Sequence, residues 1–145
     1  MIKTNLSVCL MLSRLIYKSR RLCAEDQVSQ IVDDARSFNA RNDVTGALYL
    51  VGDIFIQYLE GDEMVLDDLY SRVQMDSRHT NCRLLDKRQV MLRIFQRWSM
   101  AWLVRTPETD RLIDILLPQS LQAADEKGSS AGSFFQALAR SAEHR

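Results

Sequence analysis

The sequence has few of the residues that build metal sites, disulfide frameworks or flexible low-complexity chains. Its 145 residues include three cysteines, two histidines, two prolines and five glycines. Cys9, Cys23 and Cys82 are far apart and odd in number, and no Cys/His group has the spacing of zinc ligands. We therefore expect no metal site and no disulfide framework, and a reducing compartment, the cytoplasm.

Net charge and long apolar runs are absent as well. The 19 basic and 19 acidic residues cancel, so no overall field indicates nucleic acid or an anionic membrane as a partner. No apolar run approaches the roughly 20 residues that a membrane-spanning helix needs. The apolar N-terminus is interrupted by Arg14 and lacks a small-residue cleavage site, so we expect no membrane anchor.

The common catalytic motifs are also missing. There is no GxGxxG, no Walker phosphate loop, no HExxH and no GxSxG. The adjacent acid pairs, 33–34 and 67–68, fall on amphipathic helices, where neighbouring residues mostly face water. We therefore expect no enzyme active site.

What the sequence does contain is a regular order of hydrophobic patterns, in a chain of a size and apolar content (46%) typical of one globular domain. Alternation predicts strands and 3.6-residue spacing predicts helices. The predicted elements are a strand over 10–18, a helix over 25–39, a hairpin over 44–61 that turns at Gly52-Asp53, a helix over 62–76, and strands over 82–90 and 97–103. This β-α-β-β-α-β-β order predicts an α+β, ferredoxin-like sheet with one added strand and two helices on one face.

The tail after residue 104 differs from this core. A short helix is predicted over 106–117, a flexible loop over 124–133 and a last helix from Ser133 to the end. Because two helices cover only one face of a sheet, we expect the two tail helices to cap the other face, with Phe134 and Phe135 as anchors. A dimerisation element or a partly disordered tail is the alternative. The expected division is an N-terminal extension 1–9, a domain 10–103 and a C-terminal segment 104–145.

Gln57 is the residue that this pattern does not explain. On the second strand of the hairpin, Phe55, Gln57 and Leu59 share one face, so an amide stands between two large apolar side chains. An unpaired buried amide costs about 1–3 kcal/mol. Gln57 should therefore have a hydrogen-bond partner.

Several polar and aromatic residues at fixed points of this element order resemble the BLUF family, blue-light sensors that use FAD. The resemblance covers residues 10–103. It rests on Tyr17 in LSRLIYKS, Asn39 in ARSFNARNDVTGALYL, Gln57 in FIQYLEG, Arg78-His79 in MDSRHTN, and Trp98 and Met100 in FQRWSMAW. The resemblance implies non-covalently bound FAD and a reversible red-shifted state after blue light.

The resemblance implies a photochemical pair and a relay. Tyr17 is similar to the tyrosine that donates an electron to the excited flavin. Gln57 is similar to the glutamine that lies between this tyrosine and the ring and rearranges its hydrogen bonds. Trp98 and Met100 resemble alternate strand residues that relay the change, and on a strand the two would share a face.

Five further residues resemble the family's cofactor contacts. Asn39 is similar to the asparagine that binds the polar edge of the ring, and Arg78 and His79 to the pair near the ribityl side. Ile31 and Val73 occupy the helix positions that enclose the ring. Taken singly, Asn39 is typical of a helix C-terminus that tolerates left-handed geometry, and His79 could be a structural hydrogen-bonding histidine. Two positions depart from the family pattern, because apolar Phe38 and Ala35 stand where polar residues are common.

Two other classes of function stay open on sequence grounds. One is a flavin redox or electron-transfer protein on the same scaffold, and the other is a ferredoxin-like interaction module without a chromophore. The resemblance is to the short, stand-alone type without an enzymatic domain. Its output would pass to an unidentified downstream protein partner or through a homo-oligomer.

Overall fold

The computed structural model describes residues 11–103, 106, 107, 111 and 129–142. The elements are β1 Leu12–Arg21, a 3-10 turn Glu25–Gln27, α1 Val28–Arg41, β2 Thr45–Val51, β3 Ile54–Asp62, α2 Glu63–Gln74, β4 His79–Gln89, β5 Ala101–Leu103 and α3 Ser129–Ala142. The predicted order of elements is confirmed. The predicted extension 1–9 lies outside the described residues, as does most of the predicted helix 106–117.

The five strands form one sheet in the order β4-β1-β3-β2-β5. The first four pair antiparallel, and β5 pairs parallel with β2. This is the ferredoxin-like arrangement with one added strand. The β2–β3 hairpin turns through Gly52 and Asp53, and Gly52 has φ of 61°, the sign that the first position of a type II′ turn requires.

The central strands alternate between two cores, one on each face of the sheet. On β1, Leu15 and Tyr17 belong to the core beneath α1 and α2, which we call the cavity face. Ile16, between them, belongs to the core beneath α3, which we call the α3 face. The expected placement of α1 and α2 on one face is confirmed.

Helix α3 covers the α3 face through its two phenylalanines. Phe134 and Phe135 are fully buried. The ring of Phe134 lies 5.4 Å from that of Tyr49 on β2, and the ring of Phe135 lies 5.4 Å from that of Tyr58 on β3. Their predicted role as anchors is confirmed. The helix begins at Ser129, so the predicted loop over 124–133 was wrong for its last five residues.

The fifth strand is shorter than predicted. It spans Ala101–Leu103, and the residues from 90 to 100 have no strand structure. Within this stretch the carbonyls of Trp98, Ser99 and Met100 accept hydrogen bonds from other parts of the fold. Their donors are Gly46 N at 3.1 Å, Asn39 Nδ2 at 2.7 Å and Arg36 Nε at 2.9 Å.

Trp98 and Met100 therefore do not lie on a strand, and the prediction that they share a face was wrong. Trp98 packs against the core of the α3 face, whereas Met100 is buried in the core of the cavity face. The physical reason is that strand alternation holds only where the backbone is extended and paired in a ladder. Here the backbone bends at the edge of the sheet before β5 begins.

Candidate functional site

A cavity of about 500 Å³ lies between α1, α2 and the sheet. Its volume is within the range of small-molecule sites. Apolar side chains make most of its surface, and these are Ile31, Ala35, Phe38, Leu48, Phe55, Leu59, Leu69 and Val73. Polar and charged groups line the rest, and they include Tyr17, Asn39, Gln57, Arg78 and His79.

Tyr17 and Gln57 form a buried pair on the sheet side of the cavity. They lie directly opposite each other on β1 and β3, and the Tyr17 hydroxyl donates a hydrogen bond to Gln57 Oε1. Gln57 is only 7% exposed. The partner expected from the sequence is therefore Tyr17.

The other end of the Gln57 amide points to sulfur. Gln57 Nε2 lies 3.5 Å from Met100 Sδ and donates to it. A thioether is a weak acceptor, so this contact holds the NH2 group less firmly than an oxygen would. The amide thus has one strong and one weak partner.

Burial keeps the Tyr17 phenol neutral. Burial raises its pKa well above the ordinary value, and the nearby Cys82, Tyr70 and Asp76 raise it further. The Tyr70 ring lies 5.3 Å away and covers one side of the phenol. The Tyr17 hydroxyl is therefore a donor at neutral pH.

Asn39 joins α1 to the edge of the sheet and also lines the cavity. It is 1% exposed, and its Nδ2 donates to the carbonyl of Ser99 at 2.7 Å. Its own backbone carbonyl accepts from Val44 N at 2.9 Å. The side chain thus fixes the backbone beside Met100, and its placement at the cavity agrees with the expected one.

Both ring nitrogens of His79 have protein partners. Nε2 lies 2.6 Å from the carbonyl of Val73, and a carbonyl can only accept, so Nε2 carries a proton. Nδ1 lies 2.7 Å from the Ser19 hydroxyl. His79 therefore lines the cavity with both ring nitrogens held by the protein.

Arg78 closes one end of the cavity through an ion-pair network. It donates to Asp34 of α1 at 2.9 Å and to Asp76, in the turn after α2, at 2.7 Å. The bonds from Gln30 and then Arg78 lower the pKa of Asp34, and those from Arg78 lower the pKa of Asp76. Arg78 therefore connects α1 to the turn that follows α2, and these two helices form the walls of the cavity.

The sequence analysis missed Arg72, which also lines the cavity. Its guanidinium lies 4.9 Å from the centre of the Phe38 ring, a cation–π contact between α2 and α1. No local pattern could find this pair, because the contact depends on how two helices pack. The apolar Phe38 thus has a cationic neighbour in the cavity wall.

The structure brings seven of the nine predicted site residues to one cavity. They are Tyr17, Ile31, Asn39, Gln57, Val73, Arg78 and His79. Met100 touches this set through Gln57. Trp98 does not, since its ring lies 6.0 Å from that of Phe95 on the opposite face.

The donor set suits a flat, largely apolar group with a polar edge. Aliphatic side chains of both helices line the cavity, together with the amide groups of Asn39 on α1 and Gln57 on β3. Amides can both donate and accept, as a ring edge with carbonyl and imide groups requires. In the described part of the chain, no cluster of His, Cys, Asp or Glu could hold a metal, and no helix is long and apolar enough to cross a membrane.

Comparisons with known proteins identify the family of this chain. The family model described as sensors of blue-light using FAD (BLUF) matches residues 12–101. The chain is 29% identical to photoactivated adenylate cyclase subunit beta of Euglena gracilis over 86 residues, 59% of this chain and 10% of that protein. It is 37% identical to the blue light- and temperature-regulated antirepressor BluF of Escherichia coli strain K12 over 73 residues, 49% of this chain and 18% of that protein.

Solved structures show the same likeness. The structure of BlsA in its photo-activated state superposes with a TM-score of 0.77 at 29% identity, covering 89% of this chain and 95% of that one. The chain spans less than a fifth of the two curated relatives, so those relatives contain much that this chain does not.

Proposed function

Because the chain belongs to the BLUF family, sensors of blue light that use FAD, we propose that Tyr17 and Gln57 are its photoactive pair. FAD is the cofactor of the family, and this domain is a sensor and not an enzyme. The observation that carries the proposal is the buried hydrogen bond from the Tyr17 hydroxyl to Gln57 Oε1.

We assign the cofactor contacts to the residues that line the cavity. Ile31 on α1 and Val73 on α2 would enclose the flavin ring, and Asn39 would bind its polar edge. Arg78 and His79 would lie on the ribityl side. When bound, the flavin supplies absorption of blue light and an acceptor for an electron.

Tyr17 and Gln57 together can move a proton and then restore it. The phenol can release an electron together with its hydroxyl proton, and Gln57 Oε1 is the acceptor next to that proton. The amide can then rotate or tautomerise, which exchanges its donor and acceptor ends without moving the backbone. After the return of the electron and proton, only the amide is changed.

The signal would leave the site through Met100. A reoriented amide presents a different group to Met100 Sδ, now 3.5 Å from Gln57 Nε2. Met100 and Trp98 are the proposed relay, and residues 104–145 the proposed output segment after the sensor domain 10–103. The two states would differ in population, set by their contacts.

A downstream protein partner or a second copy of the chain is the proposed receiver. Relatives named as an adenylate cyclase and an antirepressor support a link from this domain to other activities. We propose the cytoplasm as the compartment, on the basis of three widely spaced cysteines that form no disulfide framework in the sequence pattern.

An absorption spectrum in darkness and just after blue light tests the proposal. An oxidised-flavin spectrum that shifts slightly to the red and recovers in the dark is expected. Lasting bleaching of the flavin would instead indicate redox chemistry. A colourless preparation that takes up no added FAD would overturn the photoreceptor function.

A further inference from the structure

Glu60 is a fully buried carboxylate on the face of the sheet opposite the cavity. It follows Gln57 and Leu59 on β3 and is 0% exposed. Burying an ionisable group is costly unless its oxygens are paired. Both oxygens of Glu60 accept hydrogen bonds, and the residues that donate them indicate which part of the chain Glu60 holds.

The partners of Glu60 lie mainly on the 93–100 segment, residues 93 to 100, which lead into β5. Oε1 accepts from the backbone N–H of Ile94 at 2.9 Å, and Oε2 accepts from that of Phe95 at 2.7 Å. Oε2 also accepts from the Thr45 hydroxyl at 2.9 Å. Burial raises the pKa of Glu60, and these three bonds act in the opposite direction.

The 93–100 segment has contacts on both faces of the sheet. On the cavity face, Met100 Sδ contacts Gln57 Nε2. On the α3 face, the fully buried Phe95 has its ring 5.4 Å from Tyr58 and 6.3 Å from Phe135 of α3. Side chains of this one short segment therefore contact both the photoactive amide and the helix on the opposite face.

Given the photosensor function proposed above, we propose that Glu60 is a positioning residue that fixes the 93–100 segment to the end of β3. The Glu60 carboxylate holds the backbone of Ile94 and Phe95. Because of these bonds, the 93–100 segment cannot slide when Met100 is displaced. The displacement instead reaches Phe95 and its contact with Phe135. Glu60 thus couples the cavity to α3 without touching the cofactor site.

The test uses Glu60→Gln in the full chain loaded with FAD. An amide of equal size keeps one acceptor but places an NH2 group against a backbone N–H. The matched control is Asp86→Asn, which changes another buried carboxylate on the α3 face that pairs with Arg14 and Arg88. Thr45→Val is a milder variant that removes the hydroxyl donor to Oε2 and, with it, the acceptor of Arg93 Nη1 at 3.0 Å.

Amide hydrogen exchange is measured in darkness and under blue light on peptides that cover residues 90–100 and 129–142. The red shift of the flavin absorption is measured on the same samples. In the wild type, light should change exchange in both peptides. Glu60→Gln should keep the red shift, accelerate dark exchange at Ile94 and Phe95 about tenfold, and lose the light-dependent change in 129–142. Thr45→Val should act in the same direction with a smaller effect. Asp86→Asn, whose ion pair lies beneath α3, should keep the wild-type dark exchange at Ile94 and Phe95.

Three outcomes would overturn the role of Glu60. They are a light response of 129–142 that persists in Glu60→Gln, an equal acceleration of dark exchange at Ile94 and Phe95 in Asp86→Asn, and a wild type that shifts red with no exchange change in 129–142. If Glu60→Gln does not fold, an unchanged Thr45→Val protein decides against the proposal. A wild type that lacks the red shift contradicts the photosensor function itself, so the two failures are distinguishable.

Discussion

Gln57 has two unequal partners, and this asymmetry is the central feature at the scale of single residues. Its Oε1 accepts from a phenol that burial keeps protonated, while its Nε2 donates to a sulfur at 3.5 Å. Reversal of the amide would place Oε1 against Met100 Sδ, which has no proton to donate, so the reversed orientation loses this contact. The contacts in this structure therefore favour one orientation of the amide.

Removal of the Tyr17 hydroxyl should abolish the red-shifted state. Tyr17→Phe keeps the ring packed against Tyr70 but removes the electron and proton source and the donor to Gln57. We expect bound flavin with no normal red shift after illumination, measured by difference absorption. Tyr70→Phe is the control, and it should keep the shift; a normal shift in Tyr17→Phe would contradict the assignment.

Replacing Met100, the weak hydrogen-bond partner of Gln57, should change the rate of dark recovery more than the size of the red shift. Met100→Leu keeps the apolar volume but removes the sulfur that accepts from Nε2. We expect the red shift to remain and the dark-recovery rate to change by about tenfold, the effect of roughly 1.4 kcal/mol on a barrier. Met91→Leu, at an exposed methionine outside the site, is the control and should recover like the wild type.

The pH dependence follows from the protonation of Tyr17. Because burial raises its pKa above the ordinary value of 10.0, the folded state holds the phenol proton more tightly than the unfolded chain. Tyr17 thus contributes stability that is full below about pH 10 and is lost as the pH rises through the raised pKa. The amplitude of the red shift should stay constant from pH 6 to about pH 10, and a decrease centred well below pH 10 would show that the phenol is not protected.

At the scale of elements, the sequence predicted what alternation and helical spacing encode. The hairpin was placed correctly because Gly52 and Asp53 interrupt two alternating runs, and the resulting register sets Gln57 opposite Leu48 and Tyr17. Seven cavity residues were also predicted, but from family resemblance and not from periodicity.

The fifth strand could not be predicted in the same way. Trp98, Met100 and Trp102 alternate as strand residues do, yet the structure assigns only residues 101–103 to the strand. Whether a backbone pairs in a ladder depends on its partners, and here Asn39 and Arg36 side chains take the carbonyls of Ser99 and Met100. Such long-range bonds leave no local signal in the sequence.

The bond from Asn39 to Ser99 should hold the end of the 93–100 segment. Asn39→Ala removes this buried bond and leaves the Ser99 carbonyl without its donor, which we expect to cost about 1–3 kcal/mol of unfolding free energy. Chemical denaturation measures the loss. Ser37→Ala, nearby on α1, is the control, and an Asn39→Ala protein as stable as this control would contradict the role.

At the scale of the whole molecule, α3 packs over a buried ion pair as well as over aromatic rings. Arg14 is buried and pairs with Asp86 beneath the helix. A Cβ added at Gly132 of α3 would lie 2.7 Å from Arg14 Nη2. The helix therefore approaches the sheet closely at a position where it has no side chain.

Gly132→Ala should destabilise the protein although alanine favours helices. The propensity gain is about 1 kcal/mol, but displacement of Arg14 disturbs a buried pair whose complete rupture costs about 3–5 kcal/mol. We expect a net loss of about 1–3 kcal/mol by denaturation, with flavin binding unchanged. Ser133→Ala, at the exposed neighbouring position, should be neutral; a stabilised Gly132→Ala protein would show that Arg14 moves away freely.

The two separate cores, one on each face of a single sheet, have a consequence for evolution. The proposed photoactive pair, Tyr17 and Gln57, lies on the cavity face, and the phenylalanines that anchor α3 lie on the other. Under the proposed function, mutations on the α3 face would change which molecule is recognised and leave the photoactive pair unchanged. Lineages could acquire new receivers for the same optical input by substitution on that face alone.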